Sequence, residues 1–188
     1  MPKLVLGQEF FDHSTLAVAR NLLGKYLVRR IRGRDVALMI VETEAYHGWN
    51  DMASHARRGQ TTRNAPMFSH PGTIYVYFTY GMHWMLNLVC GKQGFPSAVL
   101  IRGLTDTTPL QTPVCKGVVL DGPAKLTKFL KIDKRLNTLA LGKKSGLWVE
   151  DRGVRLAPRE VSRTGRIGVD YSGEWAKKPW RFRLSNRD

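Results

Sequence analysis

Residues 71–91 carry no Asp, Glu, Lys or Arg, in a chain of 188 residues whose formal net charge is +15. A run of that length can cross a bilayer as a helix. This one holds Tyr75, Tyr77, Tyr80 and Trp84, with Thr73, Thr79, His83, Asn87 and a central Gly81. Those residues make a poor lipid helix and a good buried hairpin. Alternation then fixes the register, because one-residue slips exchange the two faces of a strand. Ile74, Val76 and Phe78 alternate with Tyr75, Tyr77 and Thr79; Trp84, Leu86 and Leu88 alternate with His83, Met85 and Asn87. A two-residue turn at Tyr80-Gly81 pairs unlike faces. A three-residue loop, Tyr80-Gly81-Met82, sets Phe78 against Trp84 and Val76 against Leu86 on a core face. It sets Tyr77 beside Met85 and Tyr75 beside Asn87 on an aromatic and amide face. Gly81 or its neighbour supplies the positive φ that such loops need. Tyr80 then sits at the exposed tip, a natural wedge for a stack of bases.

The rest of the chain reads as mixed elements. Leu16, Ala19, Leu22 and Leu23 form the apolar stripe of a short helix, with Ser14 or Asp12 as cap and Gly24 as stop. Strand-like runs follow at residues 25–31 and 36–46, with a polar structured loop at 48–71. Another strand is expected at 98–102, a loop at 105–117, and a helix after Pro123 in which Leu126, Phe129 and Leu130 share a face. Late strands are expected at 147–150 and 180–184. With no repeat, low-complexity tract or linker, the reading is one α/β (α+β) domain over residues 1–188.

Thirty Lys and Arg against fifteen Asp and Glu, with a pI near 10.3, call for a polyanionic partner. The charge is spread over Arg29, Arg30, Arg32 and Arg34 near one end and Lys177, Lys178, Arg181 and Arg183 near the other. That pattern suits a shaped surface better than a disordered tail. Cys90 and Cys115, the two cysteines, lack metal-ligand spacing, so a reduced, metal-free intracellular protein is the simplest account. The first ten residues lack a signal peptide's apolar core, and a cytoplasmic location follows, nucleoid-associated in a bacterium or nuclear in a eukaryote.

The segment Val41-Glu42-Thr43-Glu44-Ala45-Tyr46 brings two carboxylates and a tyrosine onto a strand that begins hydrophobic. Strict alternation puts Leu38 and Ile40 on one face with Glu42, Glu44 and Tyr46, so the strand turns polar as it emerges. A glutamate there can serve as general base, nucleophile or metal ligand, or as a solvated edge residue. The metal reading has no companions, since there is no HExxH, CxxC or Asp/His cluster. Arg102, one charge ending an apolar strand, can pair with Glu44 or Glu42. His55, taken alone, is an ordinary loop residue. P-loop, GxGxxG and GxSxG motifs are absent.

Several of these segments, in order, resemble one family. They are the 41–46 run, Ser54-His55, Arg63-Asn64, Met67-Phe68, residues 71–77, Tyr80-Gly81-Met82, Asn87 and Leu100-Ile101-Arg102. Gly122-Pro123-Ala124-Lys125-Leu126, residues 166–169 and Gly173-Glu174-Trp175-Ala176 complete the set. Together they resemble the alkyladenine (3-methylpurine) DNA glycosylases, over residues 6–184. No likeness to the helix-hairpin-helix glycosylases accompanies them.

The resemblance implies a curved, open-barrel-like antiparallel sheet with surrounding helices and a protruding hairpin. It implies a monomeric, monofunctional enzyme that needs no cofactor or metal. Such an enzyme flips alkylated or deaminated purines (3-methyladenine, hypoxanthine or ethenoadenine type) out of double-stranded DNA and hydrolyses the N-glycosidic bond in base excision repair. Carried over by position, Glu44 is the general base that activates water. Arg102 and the main-chain carbonyl of Ile167 hold that water. Tyr46 and Tyr77 sandwich the base with His55, Asn87 excludes guanine, and Tyr80 fills the gap in the duplex. His83 stands where other members can carry an aromatic.

The chemistry is consistent with a single carboxylate. Departure of the base leaves an oxocarbenium-like sugar that a carboxylate can stabilise while it deprotonates water. A 3-alkylpurine is already cationic and leaves without an enzymic acid. Neutral lesions need protonation, and no residue stands out as that acid; Glu42 is read as structural. Two other classes account for part of the pattern. A non-catalytic, structure-specific nucleic-acid-binding module would use the tyrosines as a stacking platform. A formyl-transfer or other small-molecule enzyme could share a related open barrel.

Overall fold

The computed structural model describes residues 3–106 and 118–185. Most of the loop expected at 105–117, with Cys115, lies outside those residues. In chain order the elements are β1 (Leu4–Val5), α1 (Gln8–Phe11), α2 (Thr15–Asn21), β2 (Tyr26–Ile31), β3 (Arg34–His47), β4 (Ile74–Thr79) and β5 (His83–Val89). There follow β6 (Ser97–Thr105), β7 (Val119–Asp121), α3 (Pro123–Phe129), β8 (Leu147–Asp151), β9 (Val161–Thr164), α4 (Glu174–Lys177) and β10 (Arg181–Leu184). The strands join in one ten-stranded sheet in the order β1-β8-β2-β3-β6-β5-β4, with β7 on β6, β10 on β3 and β9 on β10. The pairings are antiparallel, some between consecutive strands (β2–β3, β4–β5, β5–β6) and others between distant ones (β8–β2, β3–β6, β10–β3), as in an α+β fold. Among the described residues no helix is long and apolar enough to cross a membrane.

The hairpin has the register expected of it. Val76 lies opposite Leu86, Phe78 opposite Trp84, Tyr77 opposite Met85 and Tyr75 opposite Asn87. Both Tyr80 and Gly81 take positive φ, 52° and 66°, and the Met82 N–H donates to the Thr79 carbonyl. The core face stops short of the tip: Ile74, Val76, Leu86 and Leu88 are buried, whereas Phe78 is 43% exposed. At that height the arms have outrun the elements that could cover them.

Two sequence expectations need correction at β3. Its alternation is broken where register shifts fall between Ile40 and Glu42 and between Glu42 and Thr43. The extra residue separates the Leu38–Ile40 face from that of Glu42, Glu44 and Tyr46, as a β-bulge does. Gly103 lies opposite; a Cβ there would come within 2.9 Å of the Glu42 Cβ, so the close approach needs glycine. Nor does the strand emerge into solvent. One edge of β3 is paired by β6, while the other passes from β2 to β10, whose Arg181, Phe182 and Arg183 lie opposite Glu44, Thr43 and Glu42. Glu44 therefore sits between two strands, fully buried.

Helices α2 and α3 cover the sheet, α2 over β3 and β6, α3 over β5, β6 and β7. Ser14 occupies the N-cap of α2 without a side-chain capping bond. The main core runs through Leu27, Met39, Ile40, Leu86, Ile101 and Trp148. A second cluster, Ala56, Met67, Phe68, Tyr75, Val89 and Ala98, packs against Tyr46 and Tyr77 and forms the apolar support of the site.

Candidate active site

The bulged end of β3 brings Glu44 beneath a cavity of roughly 400 Å³, within the range of small-molecule sites. Its walls include Tyr46, His55, Tyr77, Asn87, Arg102 and Ile167, with Tyr80 at the rim. Seven of the eight residues singled out from sequence thus line one space, and Glu44 underlies it. Two further tyrosines that the sequence did not single out as site residues also line the cavity, Tyr75 and the 63%-exposed Tyr171.

Glu44 is held from three directions. The Ile167 N–H donates to Oε1 at 2.8 Å, Tyr46 Oη donates to Oε2 at 2.9 Å, and Arg102 Nη1 lies 3.4 Å from Oε2. Arg102 also donates through Nε to Glu42 Oε1 at 3.1 Å, and Arg181 Nε donates to the same oxygen at 2.7 Å. Arg102 therefore pairs with both glutamates. Glu42 is tied to two arginines, in keeping with its structural reading. At Ile167 the contact with Glu44 is made by the amide nitrogen.

Burial pushes the Glu44 carboxyl above its ordinary range, and Arg102, the Ile167 N–H and Tyr46 partly offset it. Burial likewise raises the Tyr46 phenol well above its ordinary value, with the nearby Glu44 charge adding to it. The Tyr77 phenol is pushed up to about 12 for the same two reasons. Both phenols stay protonated at neutral pH. A buried carboxylate of raised pKa can act as a general base.

His55 opens a 3-10 turn, His55–Arg58, whose preceding Ser54 accepts from the Ala56 N–H. Asn64 Nδ2 donates to the His55 carbonyl at 2.9 Å, which fixes the turn in the 48–71 loop. The His55 ring stands edge-on to Tyr77, centroids 4.5 Å apart at 74°, and its Nδ1 lies 3.0 Å from Tyr75 Oη. Burial, then Arg63 and Arg57, lower its pKa to about 4, so the ring is neutral at pH 7. The neutral ring can accept from Tyr75 Oη at Nδ1 or donate to it, according to its tautomer. Arg63 braces the hairpin, donating to the Phe78 carbonyl at 2.9 Å with its guanidinium 5.5 Å from the Tyr77 ring centre.

Asn87 is buried on β5 opposite Tyr75, whose carbonyl its Nδ2 reaches at 3.3 Å. Tyr80 is 79% exposed. Among the described residues no group of three His, Cys, Asp or Glu side chains could hold a metal.

Two partners escaped the sequence reading. Arg166 and Asp51 form a two-pronged ion pair, Nη1 to Oδ2 at 2.6 Å and Nη2 to Oδ1 at 2.8 Å, with both side chains fully buried. They lie 115 positions apart, and no local spacing could signal such a pair.

The sequence profile described as methylpurine-DNA glycosylase matches residues 9–188. A Methanocella arvoryzae protein, provisionally named 3-methyladenine DNA glycosylase, is 46% identical over 185 residues, 95% of this chain and 91% of that protein. The DNA-3-methyladenine glycosylase of Homo sapiens is 39% identical over 194 residues, covering 94% of this chain and 64% of the human protein. Its Mus musculus counterpart is 40% identical over 195 residues, covering 94% and 58%.

Proposed function

The chain belongs to the methylpurine-DNA glycosylase family, and from that premise we propose that it flips alkylated or deaminated purines from duplex DNA and hydrolyses their N-glycosidic bond. The observation that carries this reading is the buried Glu44 beneath an aromatic cavity large enough for a purine. A base turned out of the stack would lie against Tyr46 and Tyr77 with His55 beside it. That places the sugar carbon near Glu44, Arg102 and Ile167.

In the ionised state Glu44 takes a proton from water as that water attacks C1′, while the carboxylate charge stabilises the oxocarbenium-like sugar. Arg102 and the Ile167 backbone hold the water. Cationic 3-methyladenine leaves unaided; hypoxanthine and ethenoadenine leave more slowly because their rings must gain a proton. Tyr80 fills the gap left in the duplex, and Asn87 opposes a purine 2-amino group. A monomer suffices, since one chain supplies every group of the site.

The test is a duplex bearing 3-methyladenine or hypoxanthine, incubated with the protein and then cleaved at abasic sites by alkali. Cleavage at the lesion is expected. Binding without cleavage would favour a non-catalytic module, and neither would defeat both.

A further inference from the structure

We infer that Arg166 is a positioning residue for the reaction: its buried guanidinium holds the Ile167 backbone against Glu44 and backs the Tyr46 ring. This rests on the proposed role of Glu44 as the base.

The guanidinium joins four parts of the chain. It grips Asp51 with both Nη atoms, at 2.6 and 2.8 Å. Nη1 also donates to the Ala45 carbonyl at 2.9 Å, between Glu44 and Tyr46 on β3. Nη2 donates to the Trp175 carbonyl at 3.2 Å in α4. Asp51 in turn accepts from the His47 and Ala53 N–H groups, at 3.2 and 3.0 Å, so the loop leaving β3 is tied to the same point. The next residue along from Arg166 is Ile167, whose N–H reaches Glu44 Oε1 at 2.8 Å.

The guanidinium is also flanked by two rings, 4.8 Å from the Tyr46 centre and 5.0 Å from the Trp180 centre. One face of Tyr46 is therefore occupied, and a flipped base can stack only on the other. Among the described residues Arg166 Nε is a buried nitrogen without a hydrogen bond. The guanidinium keeps that unmet donor while serving the fork and the two rings. Lysine, a single point charge, cannot span Asp51, Ala45 and Trp175 together.

The groups facing Glu44 from the elements around it are Arg102 on β6, Glu42 and Tyr46 on β3, Tyr77 on β4 and the Ile167 N–H. Arg181 on β10 lies opposite Glu44 and donates to Glu42. Loosening Arg166 frees two of these, the Ile167 N–H and the Tyr46 ring that it backs, and both favour the ionised carboxylate. Glu44 should then ionise at higher pH and the acid limb of excision should move up.

The test pairs single-turnover excision across pH with hydrogen exchange at the Ile167 amide, on the parent, Arg166→Lys and Asp51→Asn. In the parent that amide should be protected. In folded Arg166→Lys it should exchange at least about tenfold faster. Excision below the limb should fall about tenfold, the cost of a lost hydrogen bond to a charged group, and should recover at high pH to within about threefold of the parent. Asp51→Asn should shift the limb the same way by less. A uniform loss at every pH, or an unmoved limb with the amide still protected, overturns the inference. Should neither variant fold, the parent decides: an Ile167 amide exchanging like an exposed loop amide overturns it, and a protected one that responds to Glu44 ionisation supports it. A parent that excises no lesion defeats the functional reading instead, and the exchange result stands apart from it.

Discussion

Tyr46 and Glu44, two residues apart on β3, are joined by a hydrogen bond in which the phenol donates to Oε2 at 2.9 Å. The bond ties a ring of the pocket wall to the carboxylate beneath it. Because it favours the charged carboxylate, it opposes the effect of burial on Glu44. Tyr46→Phe keeps the ring and removes the donor. The acid limb of single-turnover excision should then move to higher pH. At a pH below the limb the rate should fall by about tenfold, the scale of one hydrogen bond to a charged group, and it should recover on the alkaline side. A pH profile superimposable on the parent's would show that the bond does not tune the base.

Glu44→Gln separates chemistry from affinity. A neutral amide removes repulsion with phosphates, so lesion-duplex binding should hold or improve, while excision should fall at least about 100-fold. Stability should move the other way. Glu44 in the fold has a pKa above the ordinary carboxylate value. The stability it contributes is complete below the unfolded-state pKa and is lost as pH rises through the folded one. Glutamine stays neutral throughout, so the variant's melting temperature should equal the parent's in acid and exceed it once the pH has risen through the folded-state pKa of Glu44. Thermal melts over that range, with retained excision as the contrary result, check both halves.

The hairpin was legible because its information is local. An uncharged, alternating run offers only one register that keeps Val76 and Leu86 together, and that register is the one observed. The setting of Glu44 was not legible. Its burial depends on β10, where Arg181 is paired with Glu44 across 137 positions of sequence, and on a bulge that strict alternation cannot express. The Arg166–Asp51 pair was hidden for the same reason, since nothing within either segment specifies a partner 115 positions away. Tyr171 reaches the cavity wall from a 3-10 turn whose sequence carries no distinguishing periodicity.

Tyr80 meets two local costs at once, an aromatic ring left 79% exposed and a left-handed backbone with φ of 52°. With Gly81 also at positive φ, the turn has the φ signs of a type I′ turn, for which Asn-Gly is the favoured pair. Tyr80→Asn should therefore leave the hairpin as stable or more so by a few tenths of a kcal/mol. It should still lower the population of flipped complex, because a wedge worth a few kcal/mol of unstacking is gone. Fluorescence of a stack-sensitive base analogue reports flipping, and a melt reports the turn. An Asn variant that flips as well as the parent removes Tyr80 from that role.

Asn87 is placed to act on selectivity rather than rate. Its Nδ2 is anchored to the Tyr75 carbonyl at 3.3 Å across the hairpin, so the amide cannot swing aside without losing that bond. It also lines the cavity on the same face as Tyr75 and Met85. A rigid group there can collide with a purine 2-amino substituent and leave adenine-type bases and hypoxanthine unhindered. Asn87→Ala opens that space at a stability cost of about 1 kcal/mol for the lost hydrogen bond. Excision of guanine-derived purines should rise relative to hypoxanthine by roughly tenfold, the scale on which a pocket discriminates one small group. Asn87→Ser should do the same by less, because its hydroxyl partly refills the space. Measured as the ratio of single-turnover rates on the two duplexes, an unaltered ratio in both variants would assign the discrimination to another residue of the wall.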